Sequence, residues 1–150
     1  MAMRGVRTQL NERGIELTNA AVIYGPALAD HNMALILAWS RQLPFLFEAQ
    51  QRGVWESRSN FPAGELAEQT ILIVGLGGAG TMTAARAKGF GMHVIGTRRR
   101  ADEPLPPCVD EQFDSSRETL HELLPSADWV ALCCGLNDET YHLFDAEVGV

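Results

Sequence analysis

Long apolar runs are scarce in this 150-residue chain. The longest, Met33 to Trp39, spans seven residues, far below the ~18 that a membrane span needs. The opening MAMRGVRTQL has no apolar stretch of signal-peptide length. Cysteine is sparse: Cys108, Cys133 and Cys134 are all there is. An odd number, two of them adjacent and none in CxxC spacing, argues against a disulfide framework and a cysteine zinc site. They read as reduced thiols in a cytoplasmic protein, with Cys133 in a strand core. Positive charge is in deficit, 12 Lys+Arg against 19 Asp+Glu for a net −7. A broad basic face for nucleic acid is therefore not expected, and neither is a membrane partner. Internal repeats and low-complexity segments are also missing.

What positive charge exists is unevenly placed. Residues 101–150 hold twelve Asp/Glu against Arg117 alone, while Arg98, Arg99 and Arg100 stand consecutively just before them. A triple arginine in an acidic chain concentrates charge for a local anion; the plainer alternative is a solvated turn. With 46% hydrophobic residues, the chain suits one domain with a sizeable core.

Residues 1–20 are polar and mixed, with a strand-like stretch at Ile15–Thr18. Gly25-Pro26 marks a helix start, because proline's missing N–H would be unpaired in a first turn anyway. The residues from about Leu28 to Gln51 are helical in pattern and apolar on several faces. They predict one long helix, covered on two sides, kinked at Pro44 and ended by Gly53. Residues 54–68 read as an irregular connection. Thr70–Val74, Met92–Gly96 and Trp129–Cys133 are short apolar runs of the kind buried on both faces of a sheet. An Ala-rich helix is expected from Ala79 to Phe90, and another, capped by Ser115 or Ser116, ends near Leu124. Strands alternating with helices predict an α/β fold, a three-layer doubly wound parallel sheet.

The first strand runs into Gly75-Leu76-Gly77-Gly78-Ala79-Gly80, a GxGxxG turn that opens a helix and precedes a second buried strand. In that context the motif points to a dinucleotide-binding Rossmann fold. Gly75 permits the tight turn, Gly77 lets backbone approach a pyrophosphate, and Gly80 allows close helix–strand packing. Unpaired N–H groups at the helix start face the phosphates. At the end of the second strand an NAD site usually has Asp or Glu for the ribose hydroxyls. Here the chain reads Gly96-Thr97-Arg98-Arg99-Arg100, with Arg98 eighteen residues after Gly80. A guanidinium fork suits a 2′-phosphate that a carboxylate would repel. NADP is therefore favoured, with NAD as the alternative. Arg98 and Arg99 are the phosphate candidates, Thr97 supports them, and Arg100 is read as solvated. The missing carboxylate also disfavours a methyltransferase.

Several further stretches carry a family resemblance: Leu17-Thr18-Asn19-Ala20, Tyr24 to His31, Arg41-Gln42-Leu43-Pro44, Gly53-Val54-Trp55, Glu65 through Gly80, Phe90 to Gly96, Leu120 to Asp128 and Leu136 to Thr140. Together they resemble the D-isomer-specific 2-hydroxyacid dehydrogenases, from about Gly14 to Glu147. The resemblance implies NAD(P)-dependent hydride transfer between 2-hydroxy and 2-keto acids, in a branch similar to glyoxylate and hydroxypyruvate reductases. It implies that Cys133, Cys134 and Gly135 run near the adenine and that Thr140 contacts the cofactor. It also implies a homodimer through the 28–52 helix. Asp30 stands where such proteins have Glu, and Gly135 where they often have Pro.

On the same resemblance, the substrate-holding Arg, the general-acid/base His and its acidic partner lie beyond Val150. The expectation is thus a single partial dinucleotide-binding domain. Residues 1–27 lead in, 28–52 form the interface helix, and 70–150 form a Rossmann core incomplete at its C-terminal strands. Such a chain binds cofactor without turnover. No catalytic or metal-ligating set is assigned, and His31, His93, His121 and His142 are read as structural or solvated. The alternative is a non-catalytic dinucleotide-sensing or dimerisation module.

Overall fold

A computed structural model of the chain describes residues 9–10, 12–16 and 22–144. Leu17 to Ala20 and the residues after Phe144 lie outside them, so the strand-like stretch at Ile15–Thr18 is described only in part. Ile15 and Glu16 are not in a strand.

Four parallel strands form one sheet in the order β3-β2-β1-β4. They are β1 (Thr70–Val74), β2 (His93–Thr97), β3 (Glu111–Phe113) and β4 (Trp129–Leu132). The central strand β1 matches its expected bounds and is buried along Ile71, Leu72, Ile73 and Val74. Burying each of these side chains contributes roughly 1.5–3 kcal/mol relative to leaving it exposed. On one face Ile71, Ile73 and Val94 pack with Met33 and Ile36 of helix α1 (Gly25–Ser40) and with Ala84 and Ala87 of helix α3 (Gly78–Gly89). On the other face Leu72, Val74 and Ile95 pack on Leu120 of helix α4 (Arg117–Leu123). Helix, sheet and helix make the three layers.

Three expectations are corrected. The long helix is two helices, α1 and α2 (Leu43–Gln51), separated at Arg41 and Gln42 rather than kinked at Pro44. Proline's ring would strike the carbonyl four residues back, so the helix stops at Ser40 and Pro44 falls in the first turn of the next one. Gln42 takes the left-handed conformation, φ 55°, that turns the chain between them. The strand β4 is not buried on both faces: Trp129 and Ala131 join the α1/α3 core, but Val130 and Leu132 are exposed. It is one of the sheet's two edge strands, β3 being the other. Finally, strands and helices do not alternate throughout. Residues 98–110 connect β2 to β3 without a helix, Pro104, Pro106 and Pro107 being poor helix-interior residues. Among the described residues no helix is long and apolar enough to cross a membrane.

Elsewhere the expected caps hold. Ser116 caps α4, its side chain accepting from the Thr119 N–H, and Glu118 sits in the first turn.

Candidate functional site

The strand order reverses beside β1: β2 and β3 lie on one side and β4 on the other. In open parallel sheets, the crevice at such a reversal, outside the strands' carboxyl ends, is where ligands bind. A cavity of about 650 Å³ lies there. Its walls come from the residues that follow each strand: Val74 to Gly77 after β1, Arg98 to Arg100 after β2, Asp114 to Ser116 after β3 and Cys133 to Gly135 after β4.

The glycine turn is tied to its neighbours through backbone. Both the Gly75 and Leu76 N–H groups donate to the Thr97 carbonyl, at 3.0 and 2.9 Å. The Cys133 N–H donates to the Val74 carbonyl at 2.9 Å. Gly75 has φ +104°, and a Cβ there would stand 2.9 Å from the Cys134 nitrogen, so no other residue fits. Gly77 faces open space, and α3 begins behind it with no side chain capping its first N–H groups. An uncapped helix tip with open space in front of it is the arrangement that accepts an anion.

Arg98 projects from the end of β2, half-buried, and Glu103 folds back to pair with its Nη2. Glu103 also meets Arg100 Nη2 at 2.5 Å. Gln112 of β3 organises this corner. Its amide nitrogen donates to the carbonyls of Ala101 and Glu103, at 2.9 and 2.8 Å, while its oxygen accepts from Arg98 Nη1 at 3.4 Å. Arg99 is largely exposed and lies 4.0 Å from Glu139 across the cavity.

On the remaining wall, the Asp114 carboxyl is held below the ordinary carboxylate range by hydrogen bonding to Ser116, then to Thr119. Thr140 closes the loop after β4: its hydroxyl donates to the Gly135 carbonyl at 2.7 Å and accepts from the Asn137 N–H at 2.8 Å. Burial pushes the Cys133 thiol up, and Asn32 donates to its sulfur at 3.5 Å.

Of the residues singled out in the sequence, Gly75, Leu76, Gly77, Arg98, Arg99, Cys133, Cys134, Gly135 and Thr140 line the cavity together. Gly78, Ala79 and Gly80 are the first turn of α3 and are not among its walls. Thr97 does not line the cavity: its side chain is fully buried with its hydroxyl unpartnered, and its carbonyl secures the glycine turn. Arg100, read as solvated, is largely exposed, and it also lines the cavity, where it pairs with Glu103. Glu103, Asp114 and Asn137 were not foreseen. They come from loops whose return to the cavity depends on pairing such as Gln112 with Glu103, which no local pattern announces.

The four histidines do not meet the cavity. His93 does have acidic neighbours, with Glu111 at 2.8 Å and Asp110 at 3.5 Å. It begins β2, though, and the cavity lies past the other end of that strand, ~13 Å away at the usual rise per residue.

Comparison with known proteins gives a consistent picture. The family model for the D-isomer specific 2-hydroxyacid dehydrogenase NAD binding domain matches residues 33–148. A glyoxylate/hydroxypyruvate reductase B of Escherichia fergusonii is 35% identical over 141 residues, 92% of this chain and 42% of that protein. The chain thus spans about two-fifths of this relative's length. A D-isomer specific 2-hydroxyacid dehydrogenase family protein from Aeromonas salmonicida superposes with a TM-score of 0.76 at 32% identity, covering 87% of this chain and 40% of that one. An acyclic imino acid reductase in complex with NADPH and D-Arg superposes with a TM-score of 0.73 at 26% identity, covering 89% and 41%.

Proposed function

The chain belongs to the D-isomer-specific 2-hydroxyacid dehydrogenase family through its NAD-binding domain, and from that we propose that it holds NADP(H) in preference to NAD(H). The parent activity we infer is reduction of small 2-keto acids, or the reverse oxidation of the CH–OH group of 2-hydroxy acids. The observation that carries the cofactor choice is Arg98, which lines the cavity just past the β2 end, where a carboxylate would repel a 2′-phosphate. The similar E. fergusonii protein is named for glyoxylate and hydroxypyruvate, and the imino acid reductase was solved with NADPH. Both support the reading.

Bound nicotinamide supplies the hydride. The part of these residues is to hold the coenzyme. The first N–H groups of α3 take the pyrophosphate, with Gly77 leaving room for it. Arg98 and Arg99 take the 2′-phosphate. The loops at Cys133 to Gly135 and at Thr140 flank the adenine half. On this reading the residues named here bind coenzyme, and none of them is assigned a catalytic role.

Thermal melting with NADPH and with NADH, on the wild type and on Arg98→Ala, tests the cofactor choice. A ligand that binds only the folded state raises the midpoint. NADPH should raise it more than NADH in the wild type, and Arg98→Ala should remove that difference. Equal shifts in the wild type would reverse the assignment.

A homodimer is proposed alongside, on the apolar stripe that Tyr24, Leu28, Leu35 and Trp39 leave exposed along α1.

A further inference from the structure

Glu103 is an acidic residue in the corner where the NADP reading needs positive charge. We propose that it is the specificity-determining residue of that corner, a built-in counter-anion on the Arg98 guanidinium that a 2′-phosphate must take, and on its neighbour Arg100. The inference rests on the NADP reading above and deepens it.

Three observations lead there. First, the Glu103 carboxylate bridges Arg98 and Arg100, one oxygen to each, so two of the three arginines after β2 are engaged by a single anion. Second, the bridge is held from behind. Gln112 donates to the Glu103 carbonyl at 2.8 Å and to the Ala101 carbonyl at 2.9 Å, and the Glu103 N–H donates to the Arg100 carbonyl at 3.2 Å. The loop therefore delivers this carboxylate to the cavity by main-chain anchoring. Third, Arg98 and Glu103 side chains are only 21% and 27% exposed, whereas Arg99 and Arg100 are 77% and 79% exposed. The Arg98–Glu103 pair is thus the least screened of the corner's ion pairs, and charge there has the largest effect on an incoming phosphate. The other acids facing the cavity are Asp114, engaged by Ser116 and Thr119, and Glu139, 4.0 Å from the exposed Arg99.

A 2′-phosphate and the Glu103 carboxylate want the same guanidinium donors. Binding of NADP+ must break the Glu103 bridge, whereas binding of NAD+ leaves it intact. Arg98 has a second partner besides Glu103, because Gln112 Oε1 also accepts from its Nη1 at 3.4 Å. Removing the carboxylate therefore frees donors without losing the arginine.

The test is calorimetric titration of NADP+ and of NAD+ into the wild type, Glu103→Gln, Glu103→Asp and Arg98→Ala. Glu103→Gln should tighten NADP+ about tenfold while NAD+ changes by less than about twofold, the size expected for losing one competing charge-assisted contact. Glu103→Asp keeps the charge and should stay near the wild-type ratio. Should Glu103→Gln fold poorly, Glu103→Ala removes the same carboxylate and carries the same expectation. An unchanged or weaker NADP+ affinity in Glu103→Gln overturns the proposal. So does an equal tightening of both coenzymes. A selective loss of NAD+ affinity overturns it as well, assigning the carboxylate to the ribose hydroxyls. If Arg98→Ala weakens NADP+ but Glu103→Gln does not move the ratio, this inference alone has failed. If Arg98→Ala leaves NADP+ unaffected, the NADP reading has failed and takes the inference with it.

Discussion

A Cβ added at Gly80 would stand 2.0 Å from the carbonyl oxygen of Gly75. The first turn of α3 and the end of β1 are therefore in backbone contact, and the glycine motif contains two separable requirements. Gly80→Ala forces helix and strand apart and should cost about 3 kcal/mol or more in stability, the overpacking range for a rigid site. Gly77→Ala meets nothing within 4 Å and should melt with the wild type. Its methyl group would stand where the pyrophosphate approaches, so coenzyme affinity should fall about tenfold or more. Melting curves and titrations on the two variants check this; a destabilised Gly77→Ala that still binds would reverse the assignment.

Asp110 ties the segment before β3 to β2. Its carboxylate takes Lys88 Nζ at 2.6 and 2.7 Å and the Val94 N–H at 2.8 Å, and its own N–H donates to the Val94 carbonyl at 2.9 Å. The Lys88 hydrogen bond, then the Val94 N–H, hold its carboxyl below the ordinary 3.8. A carboxyl depressed in the folded state contributes stability above its unfolded value and loses it as pH falls through the folded one. Asp110→Asn should therefore lower the melting point at pH 7 by about 3 °C, equivalent to about 1 kcal/mol for a partly exposed charged hydrogen bond. The gap to the wild type should close as the pH is taken well below 3.8. A gap that stays constant down to pH 2 would contradict the sign.

The parts of this fold legible in the sequence are those where a local pattern coincides with a buried environment. Residues Thr70–Val74 are such a case, because β1 is covered on both faces and an unbroken apolar run is the result. Met92 to Gly96 is shifted by one residue from the observed β2, and Trp129 to Cys133 overruns the observed β4 by one. Glu111-Gln112-Phe113 was not legible. Three residues carry no period, and their pairing is supplied by β2, where Ile95, Gly96 and Thr97 oppose them. The break between α1 and α2 was half-legible: Pro44 announced a disturbance, but its place depends on Gln42 taking a left-handed turn. Within the site the same division holds. Glycines and arginines that follow strands could be read directly, whereas Glu103 reaches the cavity only because Gln112, nine residues on, holds its carbonyl.

On α1, one helix face carries Ala29, Met33, Ile36 and Ser40 into the core. The exposed Tyr24, Leu28, Leu35 and Trp39 form a second stripe, rotated by roughly 110° at 100° per residue. Two apolar stripes on one helix need two covers, and the sheet and α3 supply one of them. Sedimentation of the wild type should give a dimer, and Leu35→Arg with Trp39→Glu should give a folded monomer. A monomeric wild type at micromolar concentration would remove the proposed interface.

The glycine turn, the uncapped start of α3 and the arginines after β2 amount to a binding site only if coenzyme enters it. Calorimetric titration of NADP+ and NAD+ into the folded wild-type chain decides this. One coenzyme per chain should bind, with NADP+ tighter by about tenfold, the worth of a charge-assisted phosphate contact. Heat from neither coenzyme, on protein that melts cooperatively, would contradict it.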